Sequence, residues 1–232
     1  MAKRMGSRAR WRALAALLLL ALLGGAAGWW HLHHWRPERA AFPVQGVEVS
    51  AADGAVDWRA IKAIGADFAY LDASASAFAR DPAFNANIEA ARAAKVQVGA
   101  VHRYDPCQPA DKQAGNFVTV VPRDAALLPP AVELDRTADD CPVKVSDAAV
   151  ESELMTFLNQ IETHTGKPAL LKISKSFESR YHLAAAIDRN LWLERDRFQP
   201  DYAGRPFTLW TANQALVNEA DDEPLHWVVV QP

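Results

Sequence analysis

After Pro43 this 232-residue chain alternates short apolar runs with longer amphipathic ones, and that alternation limits the folds open to it. The runs at 44–49 (VQGVEV), 67–72 (DFAYLD), 96–102 (VQVGAVH), 131–135 (AVELD) and 168–173 (PALLKI) have the length and apolar content of buried strands. Between and after them, 57–65, 81–95, 110–121, 146–165 and 175–189 read as helices. Asp81 followed by Pro82 has the form of an N-cap with proline at the first helical position. In the fourth helix Val150, Leu154, Phe157, Leu158 and Ile161 fall on one stripe, and Gly166 and Pro168 end it.

Five consecutive β–α units favour a parallel sheet with right-handed crossovers. Three more strand-like runs follow at 191–193, 207–210 and 226–230, with little helix between them. Eight strands invite closure into a TIM-like (β/α)-barrel, whose active site would lie at the C-terminal strand ends. An open doubly wound sheet is the alternative. It would bind nucleotides through a Gly-rich loop after the first strand, and EVSAADG stands there instead.

The segment before this pattern is of another kind. Lys3, Arg4, Arg8, Arg10 and Arg12 precede or open an apolar run that reaches Trp30. A run of nearly twenty residues spans a bilayer as a helix, and basic residues ahead of it place the N-terminus in the cytoplasm. We read residues 1–40 as a basic tip, a transmembrane signal-anchor over about 11–30 and a linker, with 41–232 as the exported domain. A signal peptide cleaved near GGAAG is the alternative, giving a secreted protein. Residues 1–40 hold seven Lys/Arg and one Glu, which leaves the domain with 18 basic against 27 acidic side chains. So acidic a domain is a poor match for nucleic acid. The two cysteines, Cys107 and Cys141, are most simply a disulfide in an oxidising compartment. The HLHH run at 31–34 reads as an interfacial collar, and no metal or cofactor is expected.

Candidate chemistry gathers at the strand ends. Glu48, Asp72, His102 and the pair Glu133/Asp135 lie at or near such ends on four strands, and alternation points Glu133 and Asp135 the same way. Several inward carboxylates at a barrel mouth suit glycoside hydrolysis, because burial and mutual repulsion keep a proton on at least one of them. Tyr104, Trp192, Trp210 and Trp227 offer stacking surfaces, although aromatic residues near barrel strands more often fill the core. Asp139 and Asp140 read as a solvated loop leading to Cys141, and there is no GxSxG elbow.

These motifs, in this order, resemble the family 25 glycoside hydrolases, the Chalaropsis-type lysozymes. GVEVS matches a Gly-Ile-Asp-Val-Ser-like first strand, DW at 57–58 its Asp-Trp, DPAFNAN its Asp-x-x-Phe-x-x-Asn, and GAVHRY its Gly-Ala-Tyr-His-Phe. QAGNF (113–117) and LPPAVELD (128–135) match its Gln-Ala-x-x-Phe helix and Leu-Pro-x-x-x-Asp-x-Glu strand. The resemblance runs over roughly residues 44 to 210 and implies an irregular TIM-like (β/α)-barrel, five β–α units followed by three closing strands. It implies catalytic roles for Asp135 (proton donor), Glu133 and Glu48. Placement at or near strand ends for Asp72 and His102, and stacking surface for Tyr104 and Trp210, make these four the expected substrate contacts. It also implies a Cys107–Cys141 bridge between the loops after the third and fourth strands.

The sequence departs from the family pattern at these positions. Glu replaces Asp at 48 and 133, Asp replaces Glu at 135, Asp72 takes the place of the strand-two Lys, and Ala75 that of the Glu after it. LWTANQ replaces the usual Trp-Gln-Tyr, and LHWVVVQP lacks the family's closing motif. Two expectations follow. One is a membrane-anchored hydrolase of the β-1,4 bonds of peptidoglycan glycan strands. The other is a pseudoenzyme that binds the wall or serves as a scaffold. The oligomeric state is not legible.

Overall fold

The computed structural model describes residues 7–218 and 223–232, with side chains from Trp11 onward, so Lys3 and Arg4 lie outside the described residues. It divides into two units, one up to Trp35 and the other Arg36–Pro232. The first unit is the helix α1 (Ser7–His33). Its stretch Trp11–His33, 23 residues containing an 18-residue window of mean hydropathy 1.9, is long and apolar enough to cross a membrane by length and composition.

The second unit is a closed barrel. Strands β1 (Gln45–Val49), β2 (Phe68–Ala75), β4 (Gln97–Arg103), β5 (Ala131–Leu134) and β6 (Leu170–Ile173) alternate with helices α2 (Trp58–Ala63), α3 (Phe84–Ala93), α4 (Ala110–Val120) and α5 (Asp147–Thr165). After β6 come α6 (Lys175–Tyr181) and α7 (Leu183–Ala186), then β7 (Asn190–Glu194), β8 (Leu209–Leu216) and β9 (Leu225–Val230). Around the barrel the order is β1-β9-β8-β7-β6-β5-β4-β2, closed by parallel pairing of β1 with β2. β9 is antiparallel to both neighbours. A two-residue strand, β3 (Ala79–Arg80), folds back on the end of β2.

Several boundaries move for identifiable reasons. The helix expected from Asp81 starts at Phe84, because the Asp81 carboxylate accepts from the Ala51 and Ala83 amides and holds a turn there. The helix expected over 175–189 breaks at His182, which adopts a left-handed conformation with φ 54°. The expected stripe of α5 is buried, and Gly166 ends that helix at φ 71°. Arg36–Ala40, expected in the linker, belong to the barrel unit: Arg36 donates to the Ile64 carbonyl, and Arg39 to the carbonyls of Pro43 and Gly65 and to Asp67.

Inside the barrel Phe68, Tyr70, Val101, Ala131, Leu170, Trp192, Leu209 and Val228 form one packed cluster. Two glycines make room for its aromatic rings. A Cβ on Gly99 would lie 2.3 Å from the Tyr70 ring, and one on Gly46 2.3 Å from the Phe68 carbonyl oxygen. Because side chains alternate, the next inward residue on each strand stands one layer nearer the C-terminal ends. That layer is charged.

Candidate active site

Lys172, on β6, organises the charged layer. In the barrel order β6 stands opposite β1, four strands away in either direction, so long side chains from the two meet across the axis. The Lys172 ammonium lies 2.6 and 2.8 Å from the carboxylate oxygens of Glu48 on β1. From the strands flanking β6 it takes Glu133 at 2.9 Å and Glu194 at 3.2 Å. Only 3% of the Lys172 side chain is exposed. A buried ammonium costs several kcal/mol in desolvation unless well-placed carboxylates offset it. Two further cations complete the layer. His226 Nδ1 lies 3.2 Å from Glu48, and Arg103 Nε lies 2.7 Å from Glu133 and 3.4 Å from Asp72.

These contacts sort the carboxyl groups. Burial opposes ionisation of Glu48, but Lys172 and His226 outweigh it and hold its pKa down to about 2. Asp72 goes the other way. Burial first, then the negative charges of Glu48 and Glu133, push it up to about 7 against the pull of Arg103. Burial also raises Glu194, and the bond to Glu48 raises His226. The mouth therefore pairs a firmly ionised carboxylate with one that holds its proton close to neutrality, the division of labour that acid–base hydrolysis uses.

Two cavities open above this layer, with Arg103 on the wall of both. One, of about 220 Å³, is lined by Glu48, Ser50, Asp53, Asp72, Lys172 and His226 among others. The second, of about 310 Å³, is lined by Tyr104, Asp105, Glu133, Asp135 and Arg136 among others. Asp135 follows the end of β5 by one residue and is exposed. The Tyr104 ring is buried against Phe157, and its hydroxyl has no hydrogen-bond partner among the described residues. Cys107 and Cys141 are bonded, joining the loops after β4 and β5 beside this cavity. Glu48, Glu194 and His226 lie close enough together to hold a metal ion, but Lys172 already supplies a cation to both carboxylates.

Two expected substrate contacts face elsewhere. His102 is fully buried on the outer face of β4. Its ring accepts from Ser74, donates to Gln113 and packs on Phe157, and burial lowers its pKa to about 4. Strand alternation turns Arg103, its neighbour, to the interior instead. Trp210 is likewise buried, its indole N–H donating to the Arg195 carbonyl and its ring against Phe42. Trp192 and Trp227 are core, not cavity wall.

Lys172, Arg103, Glu194 and His226 were absent from the sequence reading, and each left a trace. Lys172 is a charge in an otherwise apolar strand, at the inward phase set by Leu170. Arg103 and Glu194 occupy the same phase on β4 and β7. His226 is the second residue of its strand, but β9 is antiparallel, so that end lies at the mouth.

A closed barrel with buried carboxylates at the C-terminal strand ends defines the class as a barrel of glycosidase type. The chain belongs to the glycosyl hydrolases family 25, whose model matches residues 47–215. A family 25 glycosyl hydrolase of Bacillus anthracis superposes with a TM-score of 0.77 at 24% identity, over 87% of this chain and 94% of that one. The bacterial lysozyme of Streptomyces coelicolor does so with a TM-score of 0.71 at 20% identity, over 82% and 92%. YegX of Escherichia coli (strain K12) is 24% identical over 196 residues, 78% of this chain and 69% of that protein.

Proposed function

We propose that the chain is a lysozyme-type hydrolase of β-1,4 bonds in peptidoglycan, held at the inner membrane by an uncleaved α1 with its barrel on the outer side. The observation that carries the reading is the buried acidic layer at the strand ends, opening past Asp135 into a cavity of about 310 Å³. Asp135, at the rim, gives its proton to the glycosidic oxygen as the bond from the sugar carbon breaks and its electron pair leaves with that oxygen. Glu133 and Glu48, held in place by Lys172 and Arg103, face the positive charge that develops on the sugar. Water adds its hydroxyl to that carbon, directly or after the sugar's own acetamido oxygen has closed on it, and the water's proton returns to the Asp135 carboxylate. Tyr104 and Asp72 line the cavities where the flanking sugars would lie.

A second reading has its own support. Glu48 and Glu133, two carboxylates of the proposed machinery, are both bonded by one internal cation. Such a lock suits a wall-binding module that has given up turnover. Muropeptide analysis after digestion separates the two. Release by wild type and its loss in Asp135→Asn support the hydrolase. Sedimentation with insoluble peptidoglycan, without release, supports the binding module. The absence of both refutes both.

A further inference from the structure

The end of the barrel opposite the mouth carries a different chemistry from the rest of this acidic domain. Its floor is formed by the segments that lead into the parallel strands and by the last residues of β9, and the C-terminal ends of the surrounding helices converge there. Leu128, Leu170, Leu209, Val44 and Val230 are prominent in lining a mainly apolar cavity of about 190 Å³ in it. Val44 is 43% exposed.

Basic side chains surround that cavity. Some are matched: Arg39 and Lys62 pair with Asp67, Arg92 with Asp124, and Arg189 with Glu162. Others have no carboxylate partner among the described residues. Arg36 and Arg205 donate to backbone carbonyls, Arg123 bonds His164, and Lys95 is exposed. Helix C-termini attract cations, which accounts for Lys and Arg at this end. The mouth carries the buried carboxylates together with exposed Asp135 and Asp140, whereas Asp139 and Asp147 pair with Arg180, Asp201 pairs with Arg195, and Lys144 and Lys175 are exposed. The mouth thus mixes both signs around its acidic layer, and the floor holds cations with no carboxylate in contact among the described residues.

In sequence, His34 and Trp35 separate the end of the apolar run at His33 from Arg36, which donates to the Ile64 carbonyl.

We propose that the barrel floor is a docking surface for anionic phospholipid headgroups. Its unmatched cations meet lipid phosphates, its apolar cavity takes the interfacial region, and the acidic mouth is turned away from the bilayer. The proposal rests on the reading of α1 as an uncleaved anchor. A polybasic surface gains about 1 kcal/mol per Lys or Arg close to such a membrane, an attraction that salt screens.

The test uses the full chain reconstituted into vesicles of phosphatidylcholine alone or mixed with phosphatidylglycerol, with flotation reporting the anchor separately. An environment-sensitive fluorophore is placed at Val44→Cys on the floor or at Phe198→Cys, in the loop after β7 on the mouth side. In the anionic vesicles, quenching by brominated lipid should be severalfold greater at 44 than at 198, and high salt should reduce it. Lys95→Glu/Arg123→Glu should bring it to the level at 198 without changing flotation. A chain that floats with equal quenching at both sites overturns the floor proposal and leaves the anchor standing. Protection at 44 that appears equally in phosphatidylcholine and grows with protein density means a second copy covers the floor, and also overturns it. Failure to float overturns anchor and floor together.

Discussion

Lys172→Met removes the ammonium from the barrel axis while keeping a long apolar side chain against the Trp192 ring, which Lys172 approaches at 5.1 Å. Glu48 is then left buried beside Glu133 and Glu194, with His226 as its remaining cation within contact distance among the described residues. Two estimates of the cost agree. Removing one partner of a buried ion pair destabilises by about 3–5 kcal/mol. The fall of the Glu48 pKa from 4.5 to about 2 corresponds to about 3 kcal/mol, part of it owed to His226. The sign with pH follows from that direction. A depressed carboxyl contributes stability above its unfolded value and loses it as pH falls from 4.5 toward 2. The gap between wild type and variant should therefore be about 3 kcal/mol at pH 7 and should narrow steadily from pH 5 to pH 3. Urea unfolding of residues 36–232, followed by tryptophan fluorescence with the disulfide intact, measures it, and equal slopes confirm that the same surface is exposed. Adding Glu48→Gln should recover part of the loss, since it removes the stranded charge. A gap under about 1 kcal/mol at pH 7, or one that does not change with pH, would refute the assignment of Lys172 as the counter-charge of the layer.

Asp72→Asn should act in the opposite direction. The raised pKa of Asp72 means that its contribution is full below 3.8 and lost as pH rises through about 7, so the Asn variant should gain stability over wild type from about pH 4 to pH 7 and hold a constant lead above about pH 8. A constant difference from about pH 4 to pH 7 would contradict the assigned burial and repulsion. Gly99→Ala drives a methyl group into the Tyr70 ring and should cost about 1–3 kcal/mol, readable as a lower urea midpoint. Cys107→Ala/Cys141→Ala opens a loop with a sequence separation of 34 residues and should cost about 3–4 kcal/mol, with thermal unfolding as the check.

How far the sequence can be read differs between scaffold and site. The five strand–helix alternations, the three closing strands and the stripe of α5 follow from local periodicity, which needs only neighbouring residues to express itself. The cysteine bridge was legible because only two cysteines occur, and the structure places them after the neighbouring strands β4 and β5. Asp72, Glu48 and Glu133 were found at strand ends by the same local rule. His102 was misplaced because a one-residue error in phase exchanges the two faces of a strand. It was His102 that met the helices, and Arg103 that met the cavity.

The sequence by itself determined the order of elements, the acidic character of the domain and the presence of carboxylates at the strand ends, since each is a property of one segment at a time. Only the tertiary structure decided which charges meet. Lys172 and Glu48 are 124 residues apart, and closure of the barrel puts their strands on opposite sides of one axis. The antiparallel course of β9 likewise brings His226 to the mouth from the start of its strand. The loss of a lysine from strand two is visible in the sequence. The lysine that reaches the same carboxylate layer from β6 becomes visible only when the sheet closes, because an ion pair depends on distance in space and not on position along the chain.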